Sequence, residues 1–544
     1  MKKSLKLCSL ILAVLMFTGI FTACSSDEQK VSTDDTYTYW VHLDGNVSRT
    51  STTLNGHYMY EAMEKATGTK VEFIHPAQGS TGSEAFQILL ASGDYPDMIE
   101  YSWSEYAGGG DQAIKDGVII ALNEYMKDYA PNYYNYMEGE AAKENNYKYK
   151  AAAISNEGNY YGFKNLNVGN YRAYNGLFVR KDLLDKWGLD IPTTIDEWEI
   201  VLKTAKENGI KYPLTGNSML VGVYGYNYFN TPYKVHNEFY LKDGKVAFGP
   251  FQDGYKDYVA KMADWVKKGY IDIDYVTNDS TITRGNICNG ISIASTGFVG
   301  GDLGYIIPAM KERDPEFKLA ACPIPAMNKG ETPIFQGLQD AAVDPTTVIS
   351  KQCGENNEDR YKKAISWCDY LFSDEGIVLK SFGIEGDTFT IEKDENGVEH
   401  YTYTDKIIDW ENSDISGVTS LNDALYHYVI PANHPGFNQH PDYFRGYYQY
   451  DEQKDAIEVW NKYAKEAEAN VLPTLAFTTE EAEKKANIES RGKDNLTAAI
   501  SNIILGKASI DTFESVIEDA KKAGFEELTG IYQDAYNRYL ENLK

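Results

Sequence analysis

From Thr36 onward, short stretches rich in β-branched and aromatic residues alternate with longer ones whose apolar positions recur every three or four residues. "TYTYWVHL" reads as a strand. "LNGHYMYEAMEKATG" then sets Met59, Ala62, Met63 and Ala66 on one helical face and stops at Gly68. "TKVEFIHP" reads as a second strand, "SEAFQILLASG" as a second helix closed by Gly93, and "PDMIEY" as a third strand. Strand–helix–strand–helix–strand predicts a parallel sheet with helices on its faces.

Asp94 and Asp97, in "ASGDYPDMIEYSW", are the first carboxylates that invite a catalytic reading. Their place argues otherwise. Gly93 ends the helix, Asp94 and Pro96 make the turn, and Asp97 leads into the strand at its amino end. Ligands of such sheets bind beyond the carboxyl ends, where Tyr101 and Trp103 lie.

The alternation continues. "NGLFVRKDLLDKWG" reads as strand then helix. "PTTIDEWEIVLKTAKENG" reads as a helix with capping-box spacing at Thr194 and Glu197 and with Trp198, Val201, Leu202 and Ala205 inward. "GNICNGISIASTGF" predicts a buried strand leading to a loop, "FKLAACPIPAM" another strand, and "EDRYKKAISWCDYLFSDEG" an amphipathic helix. The last hundred residues are mostly helical in pattern, and no tandem repeat is visible. The pattern predicts two α/β lobes with a helical tail.

Composition narrows the function. The 544 residues carry 80 acidic against 52 basic side chains, net −28, a field that repels nucleic acid and anionic membrane surfaces. The 43 tyrosines offer flat apolar faces with a hydroxyl at the edge, suited to half-wet recognition surfaces and equally to half-buried packing. At the N-terminus, Lys2, Lys3 and Lys6 precede an apolar run from Leu7 to about Phe21 and then Cys24. That is an export signal, too short to span a membrane comfortably. "FTAC" resembles a bacterial lipobox, with Phe21 in place of the usual leucine. It implies cleavage after residue 23, lipidation of Cys24, a polar tether over residues 24–36, and an extracellular body held by its lipid. Cys288, Cys322, Cys353 and Cys368 remain; with no C-x-x-C pair, zinc is not expected, and buried free thiols are.

"LASGDYPDMI", "GLFVRKDLLDKWGLDIPTTIDEW", "YLFSDEGIVLKSFGIEGDTFT", "LPTLAFTTEE" and "GIYQDAYNRYL" in this order resemble extracellular solute-binding proteins of family one. The nearest branch is the large lipoprotein type of Gram-positive bacteria, which feeds carbohydrate-importing ABC transporters. The resemblance implies a two-lobed periplasmic-binding-protein-like (type II) α/β fold with hinge crossings, closing on ligand as a trap, and a helical C-terminal part. Aligned on that pattern, lobe one takes 37–174 and 300–390 and lobe two takes 175–299 and 391–544. Some relatives carry a calcium loop after the first crossing. Here that place reads "KENGIKYPLTG", short of the oxygens calcium needs, so none is expected.

A sugar presents apolar C–H faces and many hydroxyls, so its site needs rings with polar groups at the edge. The resemblance places Trp40, His42 and Asp44, at the end of the first strand, and Trp103, past the third, in ligand-contacting loops. Trp40 could equally be a core ring. In "MLVGVYGYNYFNTPY", Tyr224 and Tyr226 stand at alternate positions among glycines, as loop contacts or as one face of a strand. Phe298 stands before the return crossing, and Gln336, Gln339 and Asp340 near the hinge. Arg180 and Asp182 read as a salt bridge at a helix start. His427, His434 and His440 have no metal-ligand spacing. No catalytic motif surrounds any carboxylate pair, and G-x-S-x-G and P-loop signatures are absent.

These features predict a monomeric, lipid-anchored receptor, without cofactor or enzymatic activity. It captures a carbohydrate, an oligosaccharide, and hands it to an ABC permease. A surface polysaccharide lyase or hydrolase, and a peptide receptor of the same fold, are the alternatives.

Overall fold

The computed structural model describes residues 36–543, except 78, 168–172, 218–219, 221–227, 335–337, 339, 395–396, 433 and 441. The strands are β1 (Tyr37–Trp40), β2 (Val71–Ile74), β3 (Met98–Tyr101), β4 (Phe163–Asn167), β5 (Asn175–Arg180), β6 (Phe239–Lys242) and β7 (Lys245–Phe248). They continue as β8 (Ala294–Phe298), β9 (Leu319–Ala321), β10 (Ala342–Ile349), β11 (Phe389–Lys393), β12 (Glu399–Tyr403) and β13 (Gly436–Asn438).

A six-stranded sheet has the order β13-β4-β10-β3-β1-β2. β1 runs parallel to both β2 and β3, as the alternating pattern predicts, while β10 is antiparallel to β3 and β4. The helices between β1, β2 and β3 are Tyr58–Thr67 and Gly82–Ser92, ended by Gly68 at φ 64 and Gly93 at φ 68. Both glycines adopt the left-handed cap that a side chain would strain. Thr81 and Glu84 form a capping box on the second helix, satisfying two of its free N–H groups.

Asp97 acts as a tie at the amino end of β3. Its Oδ2 accepts from the Thr38 N–H (2.8 Å) and Oγ1 (3.0 Å), and its Oδ1 from the Arg360 guanidinium (2.9 Å). Asp94 stays in the turn, its N–H on Ser92 Oγ. Neither carboxylate reaches the sheet's carboxyl end.

A second sheet has the order β8-β5-β9. Alternation along β5 feeds two cores. Leu177 and Val179 join Trp198, Trp265 and the C-terminal helices, while Phe178 joins Phe317, Phe382 and Trp460. Gly176 is required here, since a Cβ would lie 2.3 Å from the Trp460 ring. Helix Ile195–Glu207 buries the predicted Trp198, Val201, Leu202 and Ala205, with Thr194 capping Glu197 N–H. Helices Thr479–Ile504, Phe513–Ala523 and Phe525–Asn542 pack into the same core through Ile488, Leu496, Ile500, Phe513 and Phe525.

Two readings change. "GNICNGISIASTGF" is a strand only over β8; its first residues end the helix Ser280–Cys288, which Asp279 caps through the Ile282 N–H. The pairings also cut across the expected lobe division. β9 joins β5 rather than the large sheet, and β13 joins β4 rather than the segments that flank it in the chain. A short apolar strand fits either sheet, and only register contacts choose. Cys322, Cys353 and Cys368 are buried and Cys288 half-buried, all four free.

Candidate functional site

A cavity of about 660 Å³ opens at the carboxyl ends of β1, β2 and β3. The loop after β1 supplies His42, Leu43, Asp44, Gly45 and Ser48; the loop after β2 supplies Pro76, Ala77, Gly79 and Ser80. Glu100 of β3, Pro345 of β10 and His434, two residues before β13, complete it. This is where a parallel α/β sheet leaves its strand ends uncovered.

Of the expected contacts, His42 and Asp44 do line the cavity. Asp44 folds its own loop as well, its Oδ1 accepting from the Asn46 N–H at 2.7 Å. Trp40 and Trp103 do not line it. Trp40 is 5% exposed and Trp103 0%, and both pack with Phe86 under helix Gly82–Ser92. The helix covers that face of the sheet, so neither indole has surface to offer a ligand in this structure. Phe298 is 39% exposed at the carboxyl end of β8, paired in register with Asn175. Tyr224, Tyr226, Gln336, Gln339 and Cys24 lie outside the described residues. Asp340 accepts at its carbonyl from Asn167 Nδ2.

Arg180 and Asp182 form the bidentate bridge expected of a helix start, Nε–Oδ1 2.8 Å, with the guanidinium over Phe317. The three C-terminal-region histidines take unrelated partners. His427 lies against Tyr428, His440 Nδ1 accepts from the Asp442 N–H, and His434 holds Glu100. Among the described residues no group of three or more His, Cys, Asp or Glu side chains could hold a metal.

Beneath the cavity lies a buried polar network. Glu100, 4% exposed, accepts from Tyr39 OH (2.6 Å), Thr347 Oγ1 (3.1 Å) and His434 Nδ1 (2.9 Å). Burial alone would raise its pKa; the His434 ring and these hydrogen bonds outweigh that and hold the carboxyl below its usual range. Lys380, fully buried in helix Asp374–Phe382, donates to the carbonyls of His434 (3.3 Å) and Pro435 (3.4 Å). Burial pulls its ammonium down to about 7, against the raising effect of Glu100. Beside the network, Lys164 of β4 pairs with Asp344 of β10 at 2.7 Å, and Ser102 Oγ donates to the same carboxylate.

The cavity and the end of β8 are linked by a chain of contacts. Asn422 Nδ2 donates to Asn46 Oδ1 (2.9 Å), Tyr447 OH donates to Asn422 Oδ1 (3.0 Å), and the Tyr447 ring lies against Gly300. Two residues from that glycine, Phe298 donates its N–H to Asp302, which also pairs with Arg284 (2.8 Å). Tyr305, 56% exposed, lies under the Arg284 guanidinium.

Sequence reasoning missed Glu100, Ser48, Ser80, Pro345 and His434. Glu100 carried one usable signal, a charged residue inside an otherwise apolar strand, which is buried only when paired.

Comparisons with known proteins agree with this layout. Residues 51–377 match the family model described as bacterial extracellular solute-binding protein. The melibiose/raffinose/stachyose-binding protein MelE of Bacillus subtilis is 25% identical over 169 residues, 30% of this chain. That match spans 38% of the MelE length. An HMO-binding, ABC-transporter-associated solute-binding protein of Bifidobacterium longum infantis superposes with a TM-score of 0.71 at 16% identity, over 93% of this chain and 99% of that one. The S. pneumoniae ABC-transporter substrate-binding protein FusA, in complex with kestose, gives 0.69 at 18%, over 93% and 100%. The near-full-length likeness establishes the two-lobed α/β fold.

Proposed function

Because the chain belongs to the bacterial extracellular solute-binding proteins, a family of binding proteins and not of enzymes, we propose that it captures a carbohydrate, an oligosaccharide, and delivers it to an ABC importer. The carrying observation is the strand-end cavity of about 660 Å³, walled by His42, Asp44, Ser48, Ser80 and Glu100. That volume is within the range of small-ligand sites, and its lining meets hydroxyl groups better than an apolar ligand. The names of MelE and FusA support a saccharide, as does the exposed Phe298 ring, suited to a sugar's C–H face. Tyr224, Tyr226, Gln336 and Gln339 are proposed to complete the contacts.

The large-sheet lobe would comprise 37–167, 342–379 and 430–438, and the small-sheet lobe 175–321 and 443–544. A ligand touching both lobes favours the closed form by its differential affinity, and the permease would read that form. Lipidation of Cys24 would hold the protein, as a monomer, at the outer face of the membrane.

A thermal-shift screen with raffinose, kestose, maltotriose and longer neutral glycans tests the reading. At 100 times the dissociation constant, a true ligand adds about 2.7 kcal/mol of stability. Scattering profiles should contract with the same ligand. A glycan library without one shift or heat of binding would refute it. Intact mass of the membrane fraction, against a Cys24→Ala variant, tests the anchor.

A further inference from the structure

Beyond β8 the backbone makes a single π-helical turn over Val299–Leu303, a conformation found mostly at functional sites, and Gly301 stands exposed on it. A Cβ built on Gly301 would have one neighbour within 4 Å, Arg284 Nη2 at 4.0 Å, so the space over this glycine is open. Gly301 is not at positive φ, and its backbone could carry a side chain without strain. A glycine that neither its backbone angles nor its neighbours require suits the close approach of a ligand to the main chain.

The side chains beside it are fixed yet open to solvent. Arg284, on helix Ser280–Cys288, donates from Nε to Asp302 Oδ1 at 2.8 Å, and Asp302 Oδ2 accepts the Phe298 N–H at 2.7 Å. Every hydrogen bond and ion pair of Arg284 to the described residues goes through Nε, and its side chain is 27% exposed, so its two Nη groups are uncommitted. The guanidinium lies 5.3 Å from the centroid of the exposed Tyr305 ring. This face stands at a strand end. Leu214 bridges in parallel to both Ala294 of β8 and Ile271, so the three segments run the same way. Helices Ser280–Cys288 and Gly304–Lys311 follow their common carboxyl end, where such folds bind ligands. The contacts Asn46–Asn422–Tyr447 lead from the cavity wall to Gly300, the neighbour of Gly301.

We propose that Gly301, Arg284 and Tyr305 form the small-sheet half of the saccharide site. A sugar ring lies against the Gly301 backbone, its hydroxyl oxygens accept from Arg284 Nη1 and Nη2, and the Tyr305 ring flanks it. The inference rests on the carbohydrate reading above and adds three residues to it. Arginine stays protonated at every working pH, so both Nη groups are donors throughout. Their rigid planar fork suits a pair of neighbouring oxygens. Asp302 is a positioning residue, holding the fork from its Nε side.

The test uses the full-length chain, with raffinose, kestose and maltotriose as probes. Calorimetry first identifies a saccharide that binds. Gly301→Leu fills the open space and should weaken that saccharide at least about thirtyfold, while the urea midpoint stays at the native value. Arg284→Lys keeps a cation beside Asp302 but loses the fork, and should weaken it about tenfold. Tyr305→Ala should weaken it about three- to tenfold.

A Gly301→Leu variant with a native midpoint and an affinity within about twofold of the native chain overturns the proposal. If that variant binds normally yet lowers uptake of the saccharide by cells, the face belongs to the permease and the proposal falls as well. Should Gly301→Leu lose stability, the other two variants decide, and unchanged affinity in both overturns it. Absence of binding by any saccharide removes the functional reading itself, and this one with it.

Discussion

The strand ends of the two sheets are made of different material. At the large sheet, Glu100, His434, Tyr39, Thr347 and Lys380 form a buried network joined by hydrogen bonds through Glu100 and through the carbonyl of His434. At the small sheet, two exposed rings lie at and just beyond the end of β8, Phe298 and Tyr305, beside a half-buried Arg284 paired with the buried Asp302. A buried network holds a few groups in fixed directions, at high cost if broken. Exposed rings grip any flat apolar face that reaches them and cost little to rearrange. The first arrangement fixes the direction of a few polar groups, and the second leaves rings open to solvent.

The contrast can be broken most directly by removing one partner on each side. Glu100→Leu leaves His434 Nδ1 without its acceptor and removes the acceptor that Tyr39 and Thr347 share, and should cost about 3–5 kcal/mol in urea unfolding. Asp302→Asn, which weakens one partly exposed pair, should cost about 1–2 kcal/mol. Equal losses would erase the distinction. Trp103→Ala should also cost about 3–5 kcal/mol, as a cavity in the core, which would locate that indole in packing rather than in binding.

Next in size is the pH dependence of the network. Between about 7 and the ordinary lysine value of 10.5, the unfolded chain binds a proton at Lys380 that the folded chain does not. Unfolding free energy therefore gains about 1.4 kcal/mol per pH unit from this residue as pH rises through that window. Its penalty is fully present below about 7. Unfolding free energies from urea titration at pH 7 and pH 9 should differ in the native chain by about 2 kcal/mol more than in Lys380→Met. A variant with the same pH slope would place the proton elsewhere.

The smallest effect belongs to the exposed ring. Phe298→Ala should leave stability within about 0.5 kcal/mol. It should weaken the bound saccharide by about three- to tenfold, the worth of one stacking contact, as read by calorimetry. A stability loss without an affinity loss would return Phe298 to the core.

The local grammar was readable where it depends on neighbours in the chain. Helix ends at Gly68, Gly93 and Gly188, the cap at Thr194, and the inward face of helix Ile195–Glu207 all follow from spacing and from glycine's freedom at positive φ. The position of the cavity beyond β1, β2 and β3 was readable for the same reason, because parallel order fixes which strand ends coincide. Trp40 and Trp103 were not. Alternation says that a ring points to one face of a sheet; it does not say whether a helix lies on that face.

The sequence by itself thus determined the parallel β1–β2–β3 unit, its capping helices and the solute-binding family to which five ordered segments point. These rest on short-range spacing and on composition. Only the tertiary structure decided that Glu100 meets His434 across 334 positions, and that β13 joins β4. It alone covered both tryptophans with helix Gly82–Ser92. Contacts between distant segments depend on which surfaces meet when lobes pack, and no periodicity within either segment carries that information.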